Sequence, residues 1–130
     1  MRQITKDSIN AFMNAKTFKR QNMEVEVLPN VTILYLHDNP IAYRYNNPER
    51  TLTIQNCGWF SNTTKERLNA LPNVHIVQRN FKWYLNGKEW NGDWIDIKTL
   101  KQKETKRDEF SERYFKIICK SILENESFAQ

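Results

Sequence analysis

The residues best suited to a binding role combine positive charge with flat aromatic rings. Cationic side chains bind phosphates and aromatic rings stack on bases, so their interleaving is typical of nucleic-acid binders. The pattern predicts phosphate contacts from Lys and Arg, with Trp59 or Tyr84 stacking on bases. The candidate nucleic-acid-binding residues are Trp59, Lys65, Arg67, Arg79, Lys82 and Tyr84.

The same aromatic residues leave two other interpretations open. All four tryptophans could instead pack in the core or against hairpins, because large rings bury much surface. Exposed aromatic residues beside arginines also form the hot spots of protein–protein interfaces. The runner-up function is therefore a protein-directed inhibitor of a host factor, and the sequence separates it poorly from nucleic-acid binding.

A catalytic site would need a nucleophile with a base, a carboxylate pair or a metal cluster. Cys57 precedes a predicted helix, where thiol pKa values are often lowered, and His37 or His75 could act as its base. A histidine hydrogen-bonded within a sheet is the commoner case. Asp93 and Asp96 are an odd number of residues apart and face opposite sides of a regular strand. We therefore expect a non-enzymatic protein with no catalytic residue, cofactor or metal.

Composition is that of one soluble globular domain. The chain has 130 residues, of which 39% are hydrophobic and 27% are charged. A net charge of +5 favours an anionic partner, although acidic residues interrupt the basic ones. Two cysteines are too few for a disulfide framework, and no apolar segment is long enough for a signal peptide or membrane span. We expect a cytoplasmic protein that makes no contact with membranes.

The first half of the chain predicts one helix and then four strands. Ile9, Phe12 and Met13 recur at helical spacing, which predicts a helix over residues 6–16 capped by Thr5 or Asp7. From Met23 to Gln55 apolar residues alternate with polar ones and short turns intervene, as in an antiparallel meander.

A strand-to-helix turn at Gly58 organises the middle of the chain. Thr63 and Glu66 have the spacing of a capping box, which predicts a helix from Thr63 to about residue 71. The helix start is also a possible anion site, strengthened by Lys65 and Arg67. Ordinary capping is the simpler explanation of the same residues.

Downstream, the pattern of residues 74–97 predicts further strands, so that the sheet would have about seven strands in total. Asn86-Gly87 is the strongest hairpin signal and matches a type I′ turn. Alternation places Lys82 and Tyr84 on one face of a strand and Trp83 on the other, with Phe81 in phase with Trp83.

The last part of the chain lacks Gly and Pro and carries an apolar stripe at helical spacing. It predicts a long C-terminal helix that packs on the sheet or on a partner chain, which in the second case would form a homodimer. The expected fold class is α+β: a mostly antiparallel meander sheet with one short inserted helix, an N-terminal helix and a long C-terminal helix. Residues 1–97 would form the domain, and residues 98–130 a helical extension.

Three segments resemble a family of small uncharacterised proteins encoded by tailed bacteriophages. They are SNTTKERLN at residues 61–69, LPNV at 71–74 and WYLNGKEWNG at 83–92. The upstream residues 34–37 and 40–42 are similar to the same family, so that the resemblance covers about residues 4–97. It implies a phage origin and the host cytoplasm as location, and it supplies no site. Phage proteins of this size commonly act on nucleic-acid transactions or block a host defence system.

Overall fold

The computed structural model describes residues 2–46 and 51–101, which form two helices and nine strands. The helices are α1 (Gln3–Met13) and α2 (Asn62–Asn69). The strands are β1 (Phe18–Arg20), β2 (Met23–Val27), β3 (Val31–Leu36), β4 (Asn39–Tyr45), β5 (Leu52–Ile54), β6 (Ile76–Arg79), β7 (Lys82–Leu85), β8 (Lys88–Trp90) and β9 (Ile95–Asp96). The α+β class is therefore confirmed, and the predicted C-terminal helix lies outside the described residues.

Strands β1 to β5 form the predicted antiparallel meander, and β9 joins its far edge to give the order β1-β2-β3-β4-β5-β9. The connections between successive strands in the described part are tight. His37 and Asp38, for example, join β3 to β4 with φ values of 51° and 64°. Positive φ at both central residues defines a type I′ turn, whose twist suits a hairpin.

The remaining strands form a separate antiparallel sheet with the order β6-β7-β8. The prediction of a single meander sheet was wrong at this point. Helix α2 lies between β5 and β6 and redirects the chain, so β6 does not pair with the meander. Trp83 and Trp90, which are cross-strand partners, are 1% and 2% exposed and join the main core. The small sheet is thus attached to the main core through the face that carries Trp83 and Trp90.

Helix α1 begins three residues earlier than the sequence predicts and has no side-chain cap. Its buried face includes Ile9 and Phe12, which pack in the main core. At its end, Arg44 of β4 donates hydrogen bonds to the carbonyls of Phe12 (3.2 Å) and Met13 (2.7 Å). A cation at the C-terminus of a helix complements the helix dipole and satisfies its last carbonyls.

The six-stranded sheet is covered on both faces, which is why every residue of β3 is buried. Leu34 and Leu36 point into the main core beneath α1 and the small sheet. Val31, Ile33 and Tyr35 alternate with them and join a second apolar cluster around Trp94. No helix among the described residues is long and apolar enough to span a membrane.

Candidate nucleic-acid interface

Helix α2 is capped by Ser61, two residues before the predicted cap. The Ser61 Oγ accepts a hydrogen bond of 3.1 Å from the backbone N–H of Thr64. The predicted capping box of Thr63 and Glu66 is therefore wrong, since an equally suitable hydroxyl stands earlier in the chain. At the other end, α2 stops at Asn69. The Asn69 Oδ1 accepts a hydrogen bond of 2.6 Å from the backbone N–H of Ile76, and its Nδ2 donates one of 3.1 Å to the carbonyl of Ile76.

Arg67 does not present its guanidinium to a ligand. It is 1% exposed, and its Nη1 donates hydrogen bonds to Glu66 Oε1 and, at 2.8 Å, to the Thr5 hydroxyl. Its Nη2 points to the Asn22 side chain at 3.5 Å. The prediction of Arg67 as a phosphate contact is thus corrected: its charge is used inside the protein to join α2 to α1.

Glu66, whose side chain is 30% exposed, joins Arg67 and Thr5 in one hydrogen-bonded cluster. Burial alone would raise the pKa of its carboxyl group, but hydrogen bonds from the Thr5 hydroxyl and the Arg2 backbone N–H act in the opposite direction. The charge of Arg67 adds to them, and the pKa of Glu66 ends below its ordinary value of 4.5. Glu66 is therefore ionised in the folded protein and neutralises Arg67.

Three of the predicted contact residues do lie on one face of the small sheet. Arg79 and Lys82 are direct cross-strand partners, and Tyr84 lies two residues further along β7. Side chains alternate along a strand, so Lys82 and Tyr84 share the face opposite the buried Trp83, as the sequence predicts. Arg79 and Lys82 are exposed and Tyr84 is half-buried. We call Arg79, Lys82 and Tyr84 the basic face.

An acidic residue borders the basic face. Glu89 is the cross-strand partner of Tyr84, and its Oε1 lies 3.4 Å from the Lys82 Nζ. Both side chains are largely exposed, at 58% and 60%, so the pair contributes little to stability and is easily exchanged for another partner.

Lys65 is separated from the basic face. Its Nζ donates a hydrogen bond of 3.2 Å to the Gln78 side chain. Gln78 is the cross-strand partner of Trp83 and so lies on the other face of the small sheet.

Trp59 also lies apart from the basic face. It is 61% exposed and lines a cavity of about 500 Å³ with His37, Asn56, Ser61 and other residues. The neighbouring Phe60 is 52% exposed and packs edge-on against Trp83, with ring centroids 5.1 Å apart. The six predicted residues therefore do not form one surface.

Phe81 is a residue that sequence reasoning missed. Phe81 shares the strand phase of Trp83, which predicts a buried ring, but Phe81 is 97% exposed at the tip between β6 and β7. The available signal was its place after Asn80, because two residues between Arg79 and Lys82 suffice for a hairpin turn.

The thiol of Cys57 is engaged in local hydrogen bonds. The Cys57 Sγ lies 3.0 Å from the Pro40 carbonyl, to which it donates, and 3.1 Å from the Gln55 Nε2, which donates to it. His37 and His75 are both exposed. Within residues 2–46 and 51–101, no group of three or more His, Cys, Asp or Glu side chains is placed to hold a metal ion.

The fold and this surface define a small α+β protein of two antiparallel sheets, with cations and an aromatic ring on an outer face. The sequence matches the family described as Kyanoviridae Gp96 protein over residues 1–112, and the chain therefore belongs to this phage protein family of uncharacterised function. The match confirms the resemblance to small phage proteins and reaches beyond residue 97. No curated protein and no solved structure matches the chain.

Proposed function

We propose that the protein is a non-enzymatic phage accessory protein that binds nucleic acid through the basic face. The observation that carries the proposal is the direct pairing of Arg79 with Lys82 across β6 and β7. Like charges directly opposite each other destabilise a sheet. The exposed carboxylate of Glu89 offsets this repulsion only weakly, and a phosphate bound between Arg79 and Lys82 would offset it further.

Tyr84 adds an aromatic ring that would stack on bases beside the phosphate contacts. It lies on the same face as Lys82, and its ring is half-buried, so it is held in place while leaving part of its surface accessible. A sheet face that combines aromatic rings with cations is a common platform for single-stranded nucleic acid. Glu89 is compatible with this role because Lys82 can exchange its exposed carboxylate partner for a phosphate.

The test is a binding titration of labelled single- and double-stranded DNA and RNA at two salt concentrations. For the double variant Arg79→Gln/Lys82→Gln we expect about ten-fold weaker binding at low salt. The slope of log K against log salt should become shallower by about 1.4, at about 0.7 for each lost contact to a single strand.

The matched control is Lys19→Gln/Lys98→Gln, which removes the same charge from exposed positions outside the small sheet. It should change the affinity for nucleic acid less than two-fold, because salt screens charges that lie far from the bound ligand. Equal weakening by both double variants would show that only net charge matters. Absence of salt-sensitive binding by the unaltered protein would refute the proposal.

A protein partner, such as a host defence factor, is the second candidate function. Trp59 favours it, because an aromatic side chain that is 61% exposed beside a cavity of about 500 Å³ has the character of an interface hot spot. If this candidate is correct, Trp59→Ala should abolish capture of a specific host protein and leave nucleic-acid binding unchanged. Capture that survives Trp59→Ala would count against this surface.

A further inference from the structure

The turn between β6 and β7 carries an aromatic ring where glycine is expected. Asn80 and Phe81 are its two central residues, with φ values of 50° and 65°, and Arg79 pairs with Lys82 across its base. Positive φ at both positions defines a type I′ turn, in which Asn-Gly is strongly preferred. A bulky side chain with positive φ is a genuine outlier.

The next hairpin of the same sheet has the usual Asn-Gly sequence of a type I′ turn. Asn86 and Gly87 join β7 to β8 with φ values of 49° and 89°, so glycine occupies the position that corresponds to Phe81. Phe81 is 97% exposed, and its ring gains almost no burial that would offset the unfavourable backbone conformation. Strained residues that folding does not explain often serve a function.

From this geometry we infer that Phe81 is a stacking residue for an unpaired nucleobase of single-stranded nucleic acid, an inference that rests on the proposed function. The ring projects from the tip, and a cation stands on each strand directly behind it. Directly paired residues of antiparallel strands have Cα atoms about 5 Å apart. Arg79 and Lys82 can therefore contact the backbone on both sides of the nucleotide whose base stacks on Phe81.

An unpaired base fits the tip better than a duplex does. Every base has a π-face, and stacking on an aromatic side chain is tolerant of sequence. Insertion of the same ring into a duplex would first require two base pairs to be unstacked. The protein should accordingly prefer single strands, with little preference among base sequences.

A membrane surface fits the tip less well. Exposed rings flanked by cations also occur at lipid interfaces, but stable attachment there needs a large apolar area or a second anchor. The tip offers one apolar side chain, because its neighbours are Arg79, Asn80 and Lys82.

The experiment compares Phe81→Leu and Phe81→Tyr with the unaltered protein. The probes are labelled oligothymidylate, a blunt duplex of the same length and phosphatidylserine vesicles. Leucine keeps an apolar side chain but removes the ring, and we expect its affinity for oligothymidylate to fall about ten-fold. Tyrosine keeps the ring and should restore the affinity to within about two-fold. Duplex affinity should be unchanged in both variants, and vesicles should not bind.

The outcomes separate this inference from the proposed function. If Arg79→Gln/Lys82→Gln weakens oligothymidylate binding but Phe81→Leu does not, the basic face stands and the stacking role of Phe81 is refuted. Vesicle binding that depends on Phe81 would also overturn the inference, in favour of a lipid surface. If the unaltered protein binds no nucleic acid in a salt-sensitive manner, the proposed function and this inference fail together.

Discussion

The Thr5 hydroxyl donates a hydrogen bond of 2.7 Å to Glu66 Oε1, which ties α1 to α2 across 61 residues of sequence. The Arg67 Nη1 donates to both side chains, so the three residues form a closed cluster between the helices. We call Thr5, Glu66 and Arg67 the helix-bridging cluster. It explains why the second helix of the described chain keeps a charged side chain that is only 1% exposed.

Loss of the acceptor in this cluster should destabilise the fold. Glu66→Ala leaves the buried Arg67 charge without its carboxylate partner, and we expect the free energy of unfolding to fall by about 2–3 kcal/mol. Urea denaturation measures the change. Glu89→Ala is the matched control, because it breaks an exposed ion pair with Lys82 and should cost less than about 1 kcal/mol. Equal losses in both variants would contradict the structural role of the cluster.

The helix-bridging cluster also predicts a pH dependence of stability. The pKa of Glu66 is lower in the folded protein than its ordinary value of 4.5, so the unfolded chain binds the proton more tightly. Its contribution is fully present above pH 4.5 and is lost as the pH falls through the folded pKa. Stability measured at decreasing pH should therefore fall less steeply for Glu66→Gln than for the unaltered protein.

The hydrogen bond from Arg20 also lowers the pKa of the Asp7 carboxyl group below its ordinary value of 3.8, so Asp7 contributes to the acid sensitivity as well. The comparison should therefore be repeated in an Asp7→Asn background. The difference between the Glu66 variants must persist there, and its disappearance would assign the acid sensitivity to Asp7 instead.

Replacement of Phe81 by glycine should stabilise the protein. Glycine adopts the φ of 65° without steric cost, whereas a residue with a Cβ loses roughly 1–2 kcal/mol in this conformation. The greater freedom of glycine in the unfolded chain offsets part of the gain, so we expect a net increase of about 0.5 kcal/mol or more. Thermal unfolding checks it. Phe81→Ala keeps the unfavourable φ and should leave stability unchanged, and a loss of stability in Phe81→Gly would refute the account.

Two glycines with similar backbone conformations should differ in their tolerance of alanine. Gly92 has a φ of 92°, and a Cβ there would collide with the side-chain amide of the buried Asn56. Gly87 has a φ of 89° and open space around the same position. We expect Gly87→Ala to cost about 1 kcal/mol from backbone strain alone. Gly92→Ala should cost about 1–3 kcal/mol more from overpacking, and denaturant titration of both variants measures the difference.

Tryptophan fluorescence should report the exposure of Trp59. Trp59 is 61% exposed, whereas Trp83, Trp90 and Trp94 are 7% exposed or less. Iodide should therefore quench mainly Trp59, and Trp59→Phe should remove most of the quenchable emission. Quenching that remains unchanged in Trp59→Phe would contradict the placement of this side chain.

Local sequence signals sufficed wherever neighbouring residues decide the conformation. The alternation from Met23 onward predicts the antiparallel meander, and Asn86-Gly87 predicts the type I′ hairpin, because strand pleating and turn chemistry depend on residues close together in the chain. The alternation of Lys82, Trp83 and Tyr84 likewise predicts which side chains share a face. The family resemblance came from continuous segments and is confirmed for the same reason.

Tertiary structure alone decided which of these residues can meet a ligand. Arg67 and Lys65 look alike on a helix, but the guanidinium of Arg67 is buried against Thr5, which lies 62 residues away in the sequence. Phe81 has the strand phase of the buried Trp83 but is exposed, because β7 begins only at Lys82 and Phe81 belongs to the preceding turn. The division into two sheets depends on what Trp83 packs against, and no local pattern contains that information. Partners that are far apart in sequence become visible only when the chain is folded.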